Sequence, residues 1–241
     1  DIARISAPLI TFCGDSSLCV FIADRFFRDG SAHYGIEFVE DGELSKQSEL
    51  PLPETDSRVF IMKSSWYYKH SHVQPALCLF CVSVNLHALS ADCQKWKTTV
   101  SEQFQRYQAY FGKQVPSFLS IFVCPGNRDS LNEGSVKEDV LIRELNSIDL
   151  DNTHSCLFFE DELIASSLGS IKSLKSEVYQ VCHNYYSTRL DMLDNDMTSS
   201  PSEMPPQRVI RVMLKMSFFN ECLSSLNIQD SNALYAYTRC L

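Results

Sequence analysis

The run Ala76–Val84 is apolar almost from end to end, without the alternation of a strand that has one wet face. Such a strand needs cover on both sides, which places it in the centre of a sheet sandwiched between helices. Pro8–Cys13, closed by Gly14, and Phe118–Cys124 have the same character. Between these runs the apolar spacing switches to three and four. Asp15–Arg28 puts Leu18, Ile22, Phe26 and Phe27 on one helical face, with Asp15, Ser16 and Ser17 as cap candidates. Ser90–Phe111 carries Trp96, Val100, Phe104, Tyr107 and Phe111 at helical spacing, and Gly112 stands where a C-cap belongs.

Tyr34–Val39, Arg58–Met62 and Ser155–Phe159 read as further strands, with Glu40–Ser57 as a polar loop. Val136–Asn146 reads as a helix. Asp161–Tyr186 reads as a long one, striped by Ile164, Leu168, Ile171, Leu174, Val178, Val181 and Tyr185. Strands alternating with helices predict an α/β fold: a Rossmann-like or small-GTPase-like three-layer sandwich with a mainly parallel sheet. We expect this domain to span residues 1–188. Residues 189–207 then form a linker, because Leu190–Gln207 carries three aspartates and three prolines without an apolar period. Residues 208–241 are expected to form a helical hairpin, Arg208–Leu226 and Asp230–Leu241, held by Phe219, Leu223, Leu234 and Tyr237. The pattern Ala233-x-x-x-Tyr237-x-x-Cys240 suits the first turn of an α-solenoid, whose remaining repeats would lie in a longer protein.

A chain of 241 residues can bury a full core, and 44% hydrophobic with 21% charged residues is globular composition. The net charge of −9 argues against nucleic-acid binding, which needs clustered Lys and Arg. No apolar run approaches the ~20 residues of a transmembrane helix, and no signal peptide is evident. Ten cysteines are about half the density of a disulfide scaffold, and several sit inside apolar runs. They read as buried thiols in a reducing, cytosolic compartment.

The element order invites a search for nucleotide machinery. The loop Gly14-Asp15-Ser16-Ser17-Leu18 has no Lys and no second Gly to cradle phosphates, and Asp15 would repel them. Gly14-Asp15-Ser16 does resemble the nucleophile block of GDSL-type (SGNH) esterases. Gly126-Asn127-Arg128-Asp129 resembles their oxyanion block in altered order, and Asp151-x-x-His154 has the spacing of their last motif. The alternative function is therefore a serine esterase using Ser16, Asn127, Asp151 and His154. The same residues also read as a helix cap, a turn and a loop. Cys78-x-x-Cys81 falls within a strand, where residues three apart face opposite sides, and His70-x-His72 lacks a third ligand. We expect no metal and no cofactor.

One further set of motifs runs along most of the chain. Trp66-x-x-Lys69-His70 is followed at fixed spacing by Pro75-Ala76-Leu77, and Gln94-Lys95-Trp96-Lys97 comes next. Leu174, Tyr179, Tyr185 and Tyr186 follow, then Lys215-x-x-Phe218-Phe219-x-Glu221. This series resembles the foie gras family, subunit 11 of the transport protein particle (TRAPP) complex. The resemblance is weakest in Gly30–Ser57 and Leu190–Gln207. It implies a non-enzymatic subunit of a complex that acts as exchange factor for Rab GTPases, in ER-to-Golgi vesicle transport and autophagy. Its partners would be other TRAPP subunits, with a Rab GTPase engaged indirectly. Its place would be cytoplasmic, peripheral to Golgi and ER–Golgi intermediate membranes. Trp66, Trp96, Phe218 and Phe219 read as packing residues. Lys69 and His70 are polar groups at the mouth of a buried strand, where they read as contact residues or as a helix C-terminal cap.

Overall fold

The computed structural model describes residues 7–27, 34–40, 66, 69–111, 117–127, 137–148, 150, 154–164, 168–199 and 204–226. Five strands form one sheet: β1 (Leu9–Gly14), β2 (Gly35–Val39), β3 (Leu77–Ser83), β4 (Ser117–Cys124) and β5 (His154–Phe159). All neighbours are parallel and the order is β2-β1-β3-β4-β5. Arg58–Met62, expected as a strand, lies outside the described residues, as do Gly112 and Asp230–Leu241.

The absence of alternation in β3 has the anticipated cause. Leu77, Leu79 and Cys81 enter one apolar cluster, while Cys78, Phe80 and Val82 enter another on the opposite face. β4 divides likewise, Leu119, Ile121 and Val123 from Phe118, Phe122 and Cys124. The first face is covered by α1 (Ser16–Ile22, continued by a π-helical turn Ala23–Phe27) and by two later helices. Those are α6 (Leu168–Thr198) and α7 (Pro206–Leu226). The second face is covered by α2 (Leu86–Ala91), α3 (Cys93–Phe111) and α4 (Glu138–Asn146). A short α5 (Glu160–Ile164) follows β5. The result is a three-layer α/β sandwich.

Local chemistry fixes the joints. The Asp15 carboxylate accepts from the Leu18 amide at 3.1 Å and so caps α1. Gly14 has φ +105°, and a Cβ there would collide with the Cys81 carbonyl oxygen. That closeness lets the Asp15 amide donate to the Cys81 carbonyl at 2.8 Å, tying the end of β1 to β3. The helix expected over Ser90–Phe111 starts earlier and is interrupted. Asn85 caps α2 through Ala88 N, while the Asp92 carboxylate accepts from Lys95 N at 3.0 Å and opens α3.

Two expectations for the C-terminal third are corrected. The long helix has its buried stripe on Leu174, Val178, Cys182 and Tyr186, with Val181 and Tyr185 at its margin and Ile164 exposed in α5. Residues 190–198 are helical where a linker was expected. Leu190 and Leu193 continue the stripe at spacings of four and three, and both pack on the core, which outweighs the aspartates between them. The Arg208 guanidinium reaches back to the Asp196 carboxylate at 3.0 Å, and Pro206 occupies the first position of α7. As expected of a C-terminal helix that cannot bury its own face, α7 leans on the α/β domain and on α6, while its expected hairpin partner Asp230–Leu241 lies outside the described residues. Phe218, Phe219, Cys222 and Leu226 are buried in the same cluster as β1, β3 and β4, and Leu223 packs against it. Among the described residues, no helix is long and apolar enough to cross a membrane.

Candidate functional site

Most of the motif residues singled out in the sequence converge on one place, the amino edge of the sheet beside α6 and α7. Ahead of β3 the chain makes a π-helical turn, Lys69–Val73, closed by the Gln74 amide donating to the Lys69 carbonyl at 2.6 Å. Pro75, Ala76 and Leu77 are buried, and the Ala76 amide donates to the Leu9 carbonyl at 2.9 Å. This anchors the turn to β1. His70 is half-buried, with its ring centre 4.4 Å from that of Trp66. Phe218 and Phe219 meet the Trp66 ring edge-on at 5.4 and 5.7 Å, and Phe219 stands at 88° to the His70 ring at 5.5 Å. Tyr186 joins from α6, 5.9 Å from Phe219, with Tyr185 5.1 Å beyond it. Each such ring pair contributes about 0.5–1.5 kcal/mol beyond simple burial.

Two cations border these rings. The Lys215 ammonium lies 5.6 Å from the centre of the Trp66 ring, and the Arg189 guanidinium 5.3 Å from that of Tyr185. Burial pushes the His70 imidazole down, and the positive charges of Lys69, Arg189 and Lys215 push it further, to about 4. At neutral pH it is an uncharged ring packed among rings. Burial likewise raises the Tyr185 and Tyr186 phenols above their usual range. Arg189 is the member of this group that motif reading missed. Its signal was available, since it stands four residues after Tyr185 on one helix.

The other motif residues are elsewhere. Tyr179 is half-buried on α6, stacked at 5.6 Å on His183. Glu221 is half-buried on α7. Trp96 and Lys97 sit across the sheet, on α3, where Lys97 donates to the Glu144 carboxylate at 2.8 Å and to Ser147 at 3.0 Å. The ammonium holds the Glu144 carboxyl below its ordinary range. The Cys93 thiol donates to the same carboxylate at 3.3 Å, so α3 and α4 are clipped together. Lys69 and His70, read as contact residues or as a cap, lie in the turn ahead of β3. They occupy the amino edge, whereas open α/β sheets bind ligands outside the carboxyl ends of their strands.

The residues of the esterase alternative do belong to that carboxyl edge in part. Ser16 is exposed at the start of α1, and Asn127 follows β4. His154, however, opens β5 at its amino end, paired with Leu119. The register runs Gly14, Cys81, Ile121, Cys156 straight across the sheet, and His154 lies two residues further back. Three strand spacings separate the end of β1 from β5, roughly 14 Å. That register does not bring Ser16 and His154 into hydrogen-bond reach, about 2.6–3.2 Å. Asp151 lies outside the described residues.

Cys78 and Cys81 point into opposite clusters, and nine cysteines, most of them buried, are free thiols among the described residues. The Cys13 and Cys78 sulfurs approach to 3.3 Å as neighbours on adjacent strands. The described residues contain no group of three His, Cys, Asp or Glu arranged to hold a metal ion. Compared with known proteins, the chain matches no family model and no curated relative.

Proposed function

We propose that this chain is a non-catalytic scaffold subunit of a TRAPP-type tethering and Rab exchange-factor complex, of the foie gras kind. In that role it would contribute contact surface to the assembly while other subunits carry the exchange reaction. One observation carries the reading. Two motif blocks far apart in sequence, Trp66-x-x-Lys69-His70 and Lys215-x-x-Phe218-Phe219, pack directly on each other. A single structural task, seating the first C-terminal helix on the sheet, accounts for both blocks.

The chemistry of the cluster agrees. An uncharged imidazole, three aromatic rings and a capping ammonium are suited to holding parts together. The test is affinity purification of the full-length protein from its own cells, with the co-purifying proteins identified by mass spectrometry. The small core subunits of a TRAPP complex should be recovered in fixed ratio. Their absence from a purification that yields another stable assembly overturns the proposal.

A further inference from the structure

The carboxyl edge of the sheet holds a cleft of about 440 Å³, built among the described residues from α1, from α5, from the ends of β3 and β4 and from Pro125. It lies where the strand order turns back on itself, since β2 and β3 flank β1 on opposite sides. Crevices at such switch points are the usual binding places of open parallel sheets, and the volume is that of a ligand site. Its floor is Ser83 and Val123, at the ends of β3 and β4. Two apolar side chains stand out of its walls into water, Phe21 at 37% exposure and Ile164 at 55%.

The charges lining it are of one sign. Asp15 and Glu160 both face the cleft, and no Lys, Arg or His is among its described lining residues. Among the described residues, neither carboxylate forms an ion pair. Asp15 accepts from the Leu18 amide, and Glu160 accepts from the Gly126 amide at 3.4 Å. The nearby Arg25 guanidinium donates at 3.0 Å to the Ile164 carbonyl, which holds α5 against the end of α1. An anionic ligand would meet only negative groups among the described lining residues. A purely apolar one would leave them facing it without a partner.

From this charge complementarity we propose that the cleft is a docking site for a segment of a partner protein that presents a basic side chain flanked by apolar ones. The basic group would sit between Asp15 and Glu160, and the flanking side chains would cover Phe21 and Ile164. The volume holds one long basic side chain and part of a neighbour, which suits a short extended segment better than a helix face. This inference goes beyond the proposed function and does not depend on which complex the chain serves.

The test uses the full 241-residue chain, labelled with ¹⁵N and titrated with two capped peptides, Ac-Ala-Leu-Arg-Leu-Ala-NH₂ and its Gln counterpart. The arginine peptide should shift the amides of Ser17, Leu18, Phe21, Ser83 and Val123 saturably, and the glutamine peptide should bind at least about fivefold more weakly. Asp15→Asn keeps the helix cap and Glu160→Gln keeps an acceptor for Gly126, so both variants should fold normally. Each should weaken the arginine peptide about fivefold and leave the glutamine peptide unchanged. Equal binding of the two peptides, shifts centred elsewhere, or no saturable shift up to ~5 mM would each overturn the proposal. The purification described above reads partner identity separately, so the two ideas can fail independently.

Discussion

The Lys215 ammonium sits 5.6 Å from the centre of the Trp66 ring, with His70 against the same indole at 4.4 Å. One indole therefore binds a cation and holds an imidazole whose protonation that cation discourages. The attraction at this half-exposed position is worth about 0.5–1 kcal/mol. Lys215→Met keeps the aliphatic stem and removes the charge. It should lower stability by about that amount in urea unfolding, and it should also raise the His70 pKa measured by NMR.

Phe219 contacts Trp66, His70, Tyr186 and Phe218 and is buried. Phe219→Ala should cost roughly 3–5 kcal/mol, the range for deleting a buried aromatic ring. Phe219→Leu should cost much less. If α7 were a detached hairpin element, Phe219→Ala would leave unfolding of the sheet domain unchanged, so the midpoint of the main transition decides the matter.

His70 has a folded-state pKa near 4 against an ordinary 6.5. The folded protein therefore binds fewer protons than the unfolded chain, and stability present above about 6.5 is lost as pH falls towards 4. Glu37 on β2 works in the opposite sense. Burial raises its carboxyl from 4.5 to about 7, so its penalty grows as pH rises through the same interval. The wild-type profile mixes the two. The difference between wild type and His70→Gln should isolate a slope that rises with pH, and Glu37→Gln should isolate the falling one. A flat His70→Gln difference curve between pH 4 and 6.5 would contradict the buried, neutral imidazole.

Gly14 and Gly35 make a matched pair. At Gly14 the positive φ and the Cys81 carbonyl leave no room for a Cβ, while at Gly35 the nearest atom is the movable end of the Leu9 side chain at 3.2 Å. Gly14→Ala should cost at least about 2 kcal/mol through backbone strain and the weakened Asp15–Cys81 bond. Gly35→Ala should change stability by less than about 1 kcal/mol. Thermal unfolding of both variants distinguishes them.

Amide exchange should protect residues 190–195 nearly as well as 180–189, because Leu190 and Leu193 rest on the core. Fast exchange beginning at residue 190 would restore the linker reading. Asp196→Asn, which breaks only the exposed pair with Arg208, should change stability by no more than about 0.5 kcal/mol.

The central sheet was legible because β3 and β4 bury both faces, and only a covered parallel strand writes Leu-Cys-Leu-Phe-Cys-Val without a polar break. The break at Asp92 was harder to see. A polar residue inside an apolar period looks like a surface position until its carboxylate is found closing on Lys95 N. Residues 190–198 were misread for the opposite reason, since three aspartates masked a stripe that needs only Leu190 and Leu193. At the candidate site, motif spacing singled out Trp66, His70, Lys215, Phe218 and Phe219, but nothing local announced that the two blocks would touch. Phe21 and Ile164 gave no signal at all. One belongs to an ordinary helix, and the other was counted in a buried stripe that it does not join.

Because α7 shares its interior with the sheet, a load applied to the chain beyond Leu226 is delivered to the amino edge of β3. The Trp66–Phe219 contact would carry that load in shear. The helix α7 would therefore keep its angle to the sheet. Such a joint works as a stiff bracket between the helix and the sheet.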